Sequence, residues 1–368
     1  MKTRTIFHLA LGLKVLVVVI GVFLLTGGGN QAWFENGTNV GWKDGGEGGG
    51  CVQAGTLHET RENNLYENAN SIALAPAVGD QKPRTTGVVE LRFMGRLGNN
   101  LFEYAAARAL ADRKGWNLFL RTAPGNPRKY GTLLREDGMA CFPGVRGLGP
   151  STDSPEMKKL AWSTFRGVRQ ELADDSPRRI IMESWFQDYS LFSDEADHLR
   201  EVMALNSSCC GKASPGENDL VIHFRNYRGE LTENQYKKLF FKDLDFEYYN
   251  KVLRDVANSA EGPPKTVWVV GEFEEEGNPF MNYLRNIHGD VRKAEGVDGQ
   301  FEAFCYLSRA HRLVMAQSTF SWWTAFLGSA SEIHFPLFPR GRGVTVPQLR
   351  VKNESRYVYR NFRGDVTP

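Results

Sequence analysis

A chain of two doubly wound α/β domains facing each other across a cleft is predicted by three observations. Short runs such as Leu220-Val221-Ile222, Val267-Trp268-Val269-Val270 and Leu313-Val314-Met315 are apolar on both faces, as strands of a parallel sheet must be. Segments with helical spacing alternate with them, which is the pattern of crossover connections. The 368 residues give room for about two such domains, and 41% hydrophobic with 24% charged is an ordinary globular composition. With 45 basic against 43 acidic residues the formal charge is +2, so nothing in the charge balance points to nucleic acid.

The elements follow in order. Residues 1–5 read as a cytosolic tail and Ile6 to Leu25 as an apolar run of bilayer-spanning length, with Lys2 and Arg4 before it to hold the amino terminus in the cytosol. Lys14 within the span costs about 3 kcal/mol on insertion scales. A cleaved signal peptide is the alternative, because Val15 to Leu25 has the length of an h-region and small residues follow at 27–29. Either reading sends the chain into the secretory route, with which sequons at Asn36, Asn206 and Asn353 are compatible. The five cysteines, Cys51, Cys141, Cys209, Cys210 and Cys305, have no CxxC spacing; one or two disulfides fit them, with at least one thiol over.

Residues 26–86, rich in Gly, Asn and Glu, read as a solvated stem. From Gly87 the pattern becomes a strand, the turn GRLGNN, a helix over 101–114 and a strand over 116–121, a βαβ unit. A loop over 124–149, a helix over 154–173 and a strand through IIMESWFQDYSLF complete a first domain, 87–212. A second domain, 213–340, contains strands at 219–225, 265–270, 312–316 and 332–335. Helices at 245–260, 279–287, 300–310 and 320–328 alternate with these strands. Residues 341–368 form a C-terminal extension.

Ligands of open parallel sheets bind beyond the carboxyl ends of the strands, so those ends carry the candidate site. Gly95 and Gly98, with Asn99, stand where a strand turns into a helix. The two glycines admit a close ligand or serve a structural turn, and the spacing fits neither a dinucleotide fingerprint nor a P-loop. His223 and Arg225 are two apart at a strand end, where an arginine fork can grip a diphosphate. His223 is a candidate base, an orienting donor or a satisfied core histidine. Ser318, Thr319 and Ser321 open a helix, able to contact phosphate or simply to cap it, while Trp322 and Trp323 have the character of core residues. Glu272, in an acidic run after Val270, is a candidate proton acceptor or part of a solvated loop.

GRLGNNLFEYAAARALA at 95–111, ESWFQDYSLF at 183–192, HFR at 223–225, DFEYYNKVL at 245–253 and AQSTFSWWTAFLG at 316–328 resemble, in order, the motifs of the α-1,2-fucosyltransferases. The resemblance implies a GT-B-like pair of Rossmann-type domains, the first on the acceptor side and the second on the donor side. It also implies inverting, metal-independent transfer of fucose from GDP-fucose to a glycan hydroxyl, with no cofactor beyond this co-substrate. A Golgi type II membrane protein with a lumenal catalytic domain is expected with it, or a secreted form if the signal is cleaved. Carried over by position, Arg225 holds the donor diphosphate with His223 beside it, Ser318, Thr319 and Ser321 contact the donor, and Gly95, Gly98 and Asn99 close the site. Where the family continues with R-x-D, this chain reads Asn226-Tyr227-Arg228-Gly229-Glu230.

Overall fold

Parallel pairing dominates the chain because helices alternate with most of its strands as crossovers, and the computed structural model shows it directly. It describes residues 87–122, 131–147, 179–226, 244–297, 299–337 and 349–367. The expected anchor (6–25), the stem (26–86), the helix at 154–173, Cys51, Arg228 and Glu230 lie outside the described residues. Among those described, no helix is long and apolar enough to cross a membrane.

Three parallel strands, β1 (Val88–Phe93), β2 (Asn117–Thr122) and β3 (Arg179–Met182), form one sheet in the order β2-β1-β3. Helix α1 (Leu97–Lys114) connects β1 to β2 and stops at Gly115, whose φ of 61° the left-handed C-cap requires. A short α2 (Glu136–Cys141) stands in the segment expected to be loop, and α3 (Ala196–Val202) follows β3. The expected strand through ESWFQDYSLF ends at Met182. Glu183 to Asp188 then run irregularly into a 3-10 turn capped by Asp188.

The second sheet has six parallel strands in the order β6-β5-β4-β7-β8-β9. They are β4 (Leu220–His223), β5 (Val267–Val270), β6 (Val291–Lys293), β7 (Arg312–Val314), β8 (Glu332–Pro336) and β9 (Tyr357–Arg360). Helices α4 (Phe246–Ala257), α5 (Pro279–His288), α6 (Gln300–Ser308) and α7 (Thr319–Leu327) connect them. Two strands went unpredicted. β6 is only three residues with two of them charged, and β9 falls in the presumed extension, where it pairs with β8 as the sheet's edge. Arg360 anchors that edge: its buried guanidinium donates to His334 Nδ1 at 3.0 Å and to the Asp255 carboxylate.

Both sheets lie within one compact unit, Arg61–Pro368, and share a continuous apolar core. Its centre is aromatic. Phe102 of α1 lies 4.7 Å from Trp322 and 5.1 Å from Trp323 of α7 (ring centroids), and Phe192 stacks on Trp323. Both tryptophans are buried, as expected for residues that fix α7, and Trp322 donates to the Leu349 carbonyl at 2.8 Å. Disulfides Cys141–Cys209 and Cys210–Cys305 tie α2 and α6 to the adjacent cysteines between the sheets. The sequon Asn206 is structurally employed, accepting from Ser208 N and donating to the Ala140 carbonyl, whereas Asn353 stands exposed in a turn.

Candidate functional site at the switch point

In the order β6-β5-β4-β7-β8-β9 the chain winds one way from β4 to β6 and the other way from β7, so β4 and β7 flank the topological switch point. The residues leaving those two strands are His223 to Arg225 and Ala316 to Ser321. β4 ends at His223, so Arg225 lies just past the strand and not within it. Phe224 fixes the intervening backbone by stacking on Phe280 at 4.1 Å and by donating its N–H to the Val270 carbonyl.

Helix α7 opens on Ser318, an extended N-cap (φ −150°, ψ 135°) whose Oγ accepts from Phe320 N at 3.2 Å. The same Oγ accepts from Arg225 Nη1 at 3.2 Å, so the cap also aims the guanidinium. Ser321 Oγ, fully buried, accepts from Ala316 N at 3.1 Å and is hydrogen-bonded to His223 Nδ1. Burial, with the Arg225 charge second, depresses the His223 imidazole to about 3. The ring is therefore neutral at physiological pH. Because Ser321 already accepts the Ala316 N–H, its own proton can go to Nδ1, which leaves the ring proton on Nε2.

From the other sheet, α1 begins at Leu97, four residues before its expected start. Gly98 and Asn99 thus belong to its first turn. Gly98 lies so close to α7 that a Cβ there would sit 2.4 Å from Phe320 N. Asn99 completes the junction: its Oδ1 accepts from Thr319 Oγ1 at 2.9 Å and from Gln187 Nε2 at 3.0 Å. Gly95 has φ +71° and packs against the Trp185 ring, which a Cβ would approach to 2.5 Å. Behind this turn Asn100 donates to the Met94 carbonyl at 2.9 Å, and Glu103 accepts from Met94 N at 2.9 Å. Burial pushes the Glu103 carboxyl well above the usual carboxylate range.

The structure therefore joins seven of the expected residues: Gly95, Gly98, Asn99, His223, Arg225, Ser318 and Ser321, with Thr319 as the eighth at the junction. Glu272 is not joined to them. It stands exposed two residues beyond β5 and makes no hydrogen bond or ion pair among the described residues. Gln187, Trp185, Asn100 and Glu103 were missed. The strand-end rule points to the first two, since β3 ends at Met182 beside β1. Chemically, the site combines a guanidinium, two convergent helix N-termini and several hydroxyls, which suits an anionic group with adjacent oxygens.

No protein-family model and no curated protein matches the chain. Among solved structures it is similar to the NodZ α-1,6-fucosyltransferase soaked with GDP-fucose, at 13% identity over 68% of this chain and 94% of that one, with a TM-score of 0.42. It is also similar to POFUT1 in complex with GDP, at 11% identity over 76% and 99%, TM-score 0.40. A third is a FUT1 mutant of Arabidopsis thaliana in complex with GDP, at 13% identity over 79% and 77%, TM-score 0.40. At such identities no activity passes from one chain to the other.

Proposed function

We propose that the chain is a glycosyltransferase of the fucosyltransferase kind, moving fucose from GDP-fucose to a glycan hydroxyl, with O2 of a terminal galactose as the acceptor atom. The observation that carries this is the position of Arg225, directed by Ser318 at the switch point of the second sheet, with the first turn of α1 packed beside it. The ordered motif series from 95 to 328 supports fucose as the sugar.

In this reading the acceptor oxygen attacks the anomeric carbon while the bond to the diphosphate breaks on the opposite face, so configuration inverts and GDP leaves with the electron pair. Arg225 and helix amides neutralise the charge that develops on GDP, the work a metal ion does in other transferases. His223 positions this apparatus: neutral and hydrogen-bonded to Ser321, it holds the end of β4 against the start of α7. The two disulfides support a lumenal or extracellular fold, as a Golgi type II protein or a secreted one would have.

The test is calorimetric GDP binding together with GDP release from GDP-fucose, by the purified full chain offered galactose-terminated acceptors. Arg225→Ala is expected to lower turnover about 100- to 1000-fold. Full activity in that variant overturns the placement of the donor, and a parent chain that neither binds GDP nor releases it overturns the reading. Two observations favour a second reading, binding without turnover: the His223 basicity is suppressed and Glu272 stands apart. GDP binding without release from any acceptor would select it.

A further inference from the structure

The motif ESWFQDYSLF enters the site only through Gln187, yet its tryptophan has the features of a ligand contact. Trp185 is partly exposed, and its ring lies on Gly95 at the carboxyl end of β1. Among the described residues it has neither a hydrogen bond to its indole N–H nor an aromatic partner. Trp268, Trp322 and Trp323, by contrast, are each engaged by other rings. Phe186, with φ 41°, occupies the left-handed region that a bulky side chain disfavours, and this reversal lets Trp185 and Gln187 both reach the Gly95–Asn99 turn.

Two residues before Trp185 in the chain, and three before the glycine its ring covers, stand the members of an ion pair, Glu183 and Arg92. The register that sets Leu91 opposite Met182 brings Arg92 next to Glu183, and Arg92 Nη1 donates to Glu183 Oε2 at 3.3 Å. Arg92 also pairs, through its Nε at 3.0 Å, with the fully buried Glu90, which Arg121 shares at 4.0 Å. Among the described residues Glu183, 29% exposed, thus has one long hydrogen bond on a carboxylate that offers about four acceptor sites.

The geometry points to an acceptor-sugar subsite here: a pyranose ring laying its C–H face on Trp185, two neighbouring hydroxyls donating to Glu183 and accepting from Arg92. Aromatic faces are electron-rich and attract the polarised C–H groups of a sugar, and a carboxylate–guanidinium pair matches a diol that both gives and takes hydrogen bonds. The assignment to the acceptor rests on the proposed function, since the Arg225 side holds the diphosphate and the Gly95 turn lies between the two.

Saturation-transfer NMR of methyl β-D-galactopyranoside, methyl β-D-glucopyranoside and methyl N-acetyl-β-D-glucosaminide tests it. The parent, Trp185→Ala, Trp185→Phe and Glu183→Gln are each compared with and without saturating GDP, with GDP and GDP-fucose affinities measured by calorimetry on the same samples. The parent is expected to saturate at least one glycoside, Trp185→Phe to retain most of the signal, and Trp185→Ala and Glu183→Gln to lose at least tenfold in affinity. GDP affinity should stay within twofold in every variant, which also reports that each is folded. Glycoside binding by Trp185→Ala at the parent's level overturns the subsite, as does a parent that binds GDP but none of the glycosides. Loss of the gain from GDP to GDP-fucose in Trp185→Ala, with glycoside binding kept, reassigns the ring to the donor sugar and overturns the acceptor assignment. A parent that binds a glycoside through Trp185 but not GDP keeps the subsite and refutes the donor reading.

Discussion

The helix starts at Gly95–Asn99 and at Ser318–Ser321 occupy equivalent places in their sheets and are built in opposite ways. Helix α1 has no side-chain cap; its N-cap is Arg96, and its turn is held from behind by the buried acid Glu103 and by Asn100. Helix α7 is capped by Ser318 and backed by the buried neutral base His223 through Ser321. The first start keeps its leading amides clear of a side-chain cap and uses glycine to come close. The second spends hydroxyls to aim a cation. One turn contributes shape and backbone donors, the other positions charge, and a diphosphate needs both.

The division breaks first at the contact between the two starts. In Gly98→Ala the new Cβ meets two backbone atoms of α7, Phe320 N at 2.4 Å and Thr319 C at 2.7 Å, neither of which a rotamer change can move. Overpacking of this kind costs about 3 kcal/mol, offset by up to about 1 kcal/mol of helix propensity. Thermal unfolding is expected about 3–6 °C lower. An unchanged melting temperature would mean that α1 and α7 are not locked together.

Two serines of α7 sharpen the comparison within one turn. Ser321→Ala leaves the Ala316 N–H and His223 Nδ1 buried without a partner, for a loss of about 2 kcal/mol, with little change in GDP affinity. Ser318→Ala loses a cap worth about 1 kcal/mol but releases Arg225 from its guide, so GDP affinity should fall more than stability. Denaturation and calorimetry on both variants should therefore rank them in opposite orders. The same order in both measurements would erase the distinction between the structural and the ligand-facing serine.

How much of this could be read beforehand follows the same line. Residues that terminate strongly apolar strands, such as Arg225 and Ser318, were legible because a parallel sheet directs function to its carboxyl edge. The α1 start was misplaced because two glycines and two asparagines in GRLGNN argue locally for a turn. Packing of Gly98 against α7, beside the hydrogen bond that joins Asn99 to Thr319 220 residues further on, makes them helical. Glu272 followed the strand-end rule equally well and stays apart, because the rule names an edge and not which loops fold over it. β9 was invisible since its pairing with β8 depends on the buried Arg360 network. Trp185 was hidden inside a segment that looked like a strand until Phe186 reversed it.

The smallest effect expected is a difference of sign in pH dependence. His223 has an ordinary value near 6.5 in the unfolded chain and about 3 when folded, so between these the unfolded state binds more protons and stability falls as pH falls. From pH 7 to pH 6 this amounts to about 0.7 kcal/mol for this residue. Buried His334 and half-buried His288 are depressed by burial as well, so the parent's acid limb is steeper than one residue makes it. Glu103 behaves in the opposite way: its carboxyl is raised, the folded state binds the extra proton, and stability is lost as pH rises through the raised value. Urea unfolding across pH 5–8.5 should show a shallower acid limb in His223→Gln and a shallower alkaline limb in Glu103→Gln, which keeps an oxygen for Met94 N. If both substitutions flattened the same limb, the two turns would not be backed by groups of opposite protonation, and the contrast between a base behind α7 and an acid behind α1 would fail.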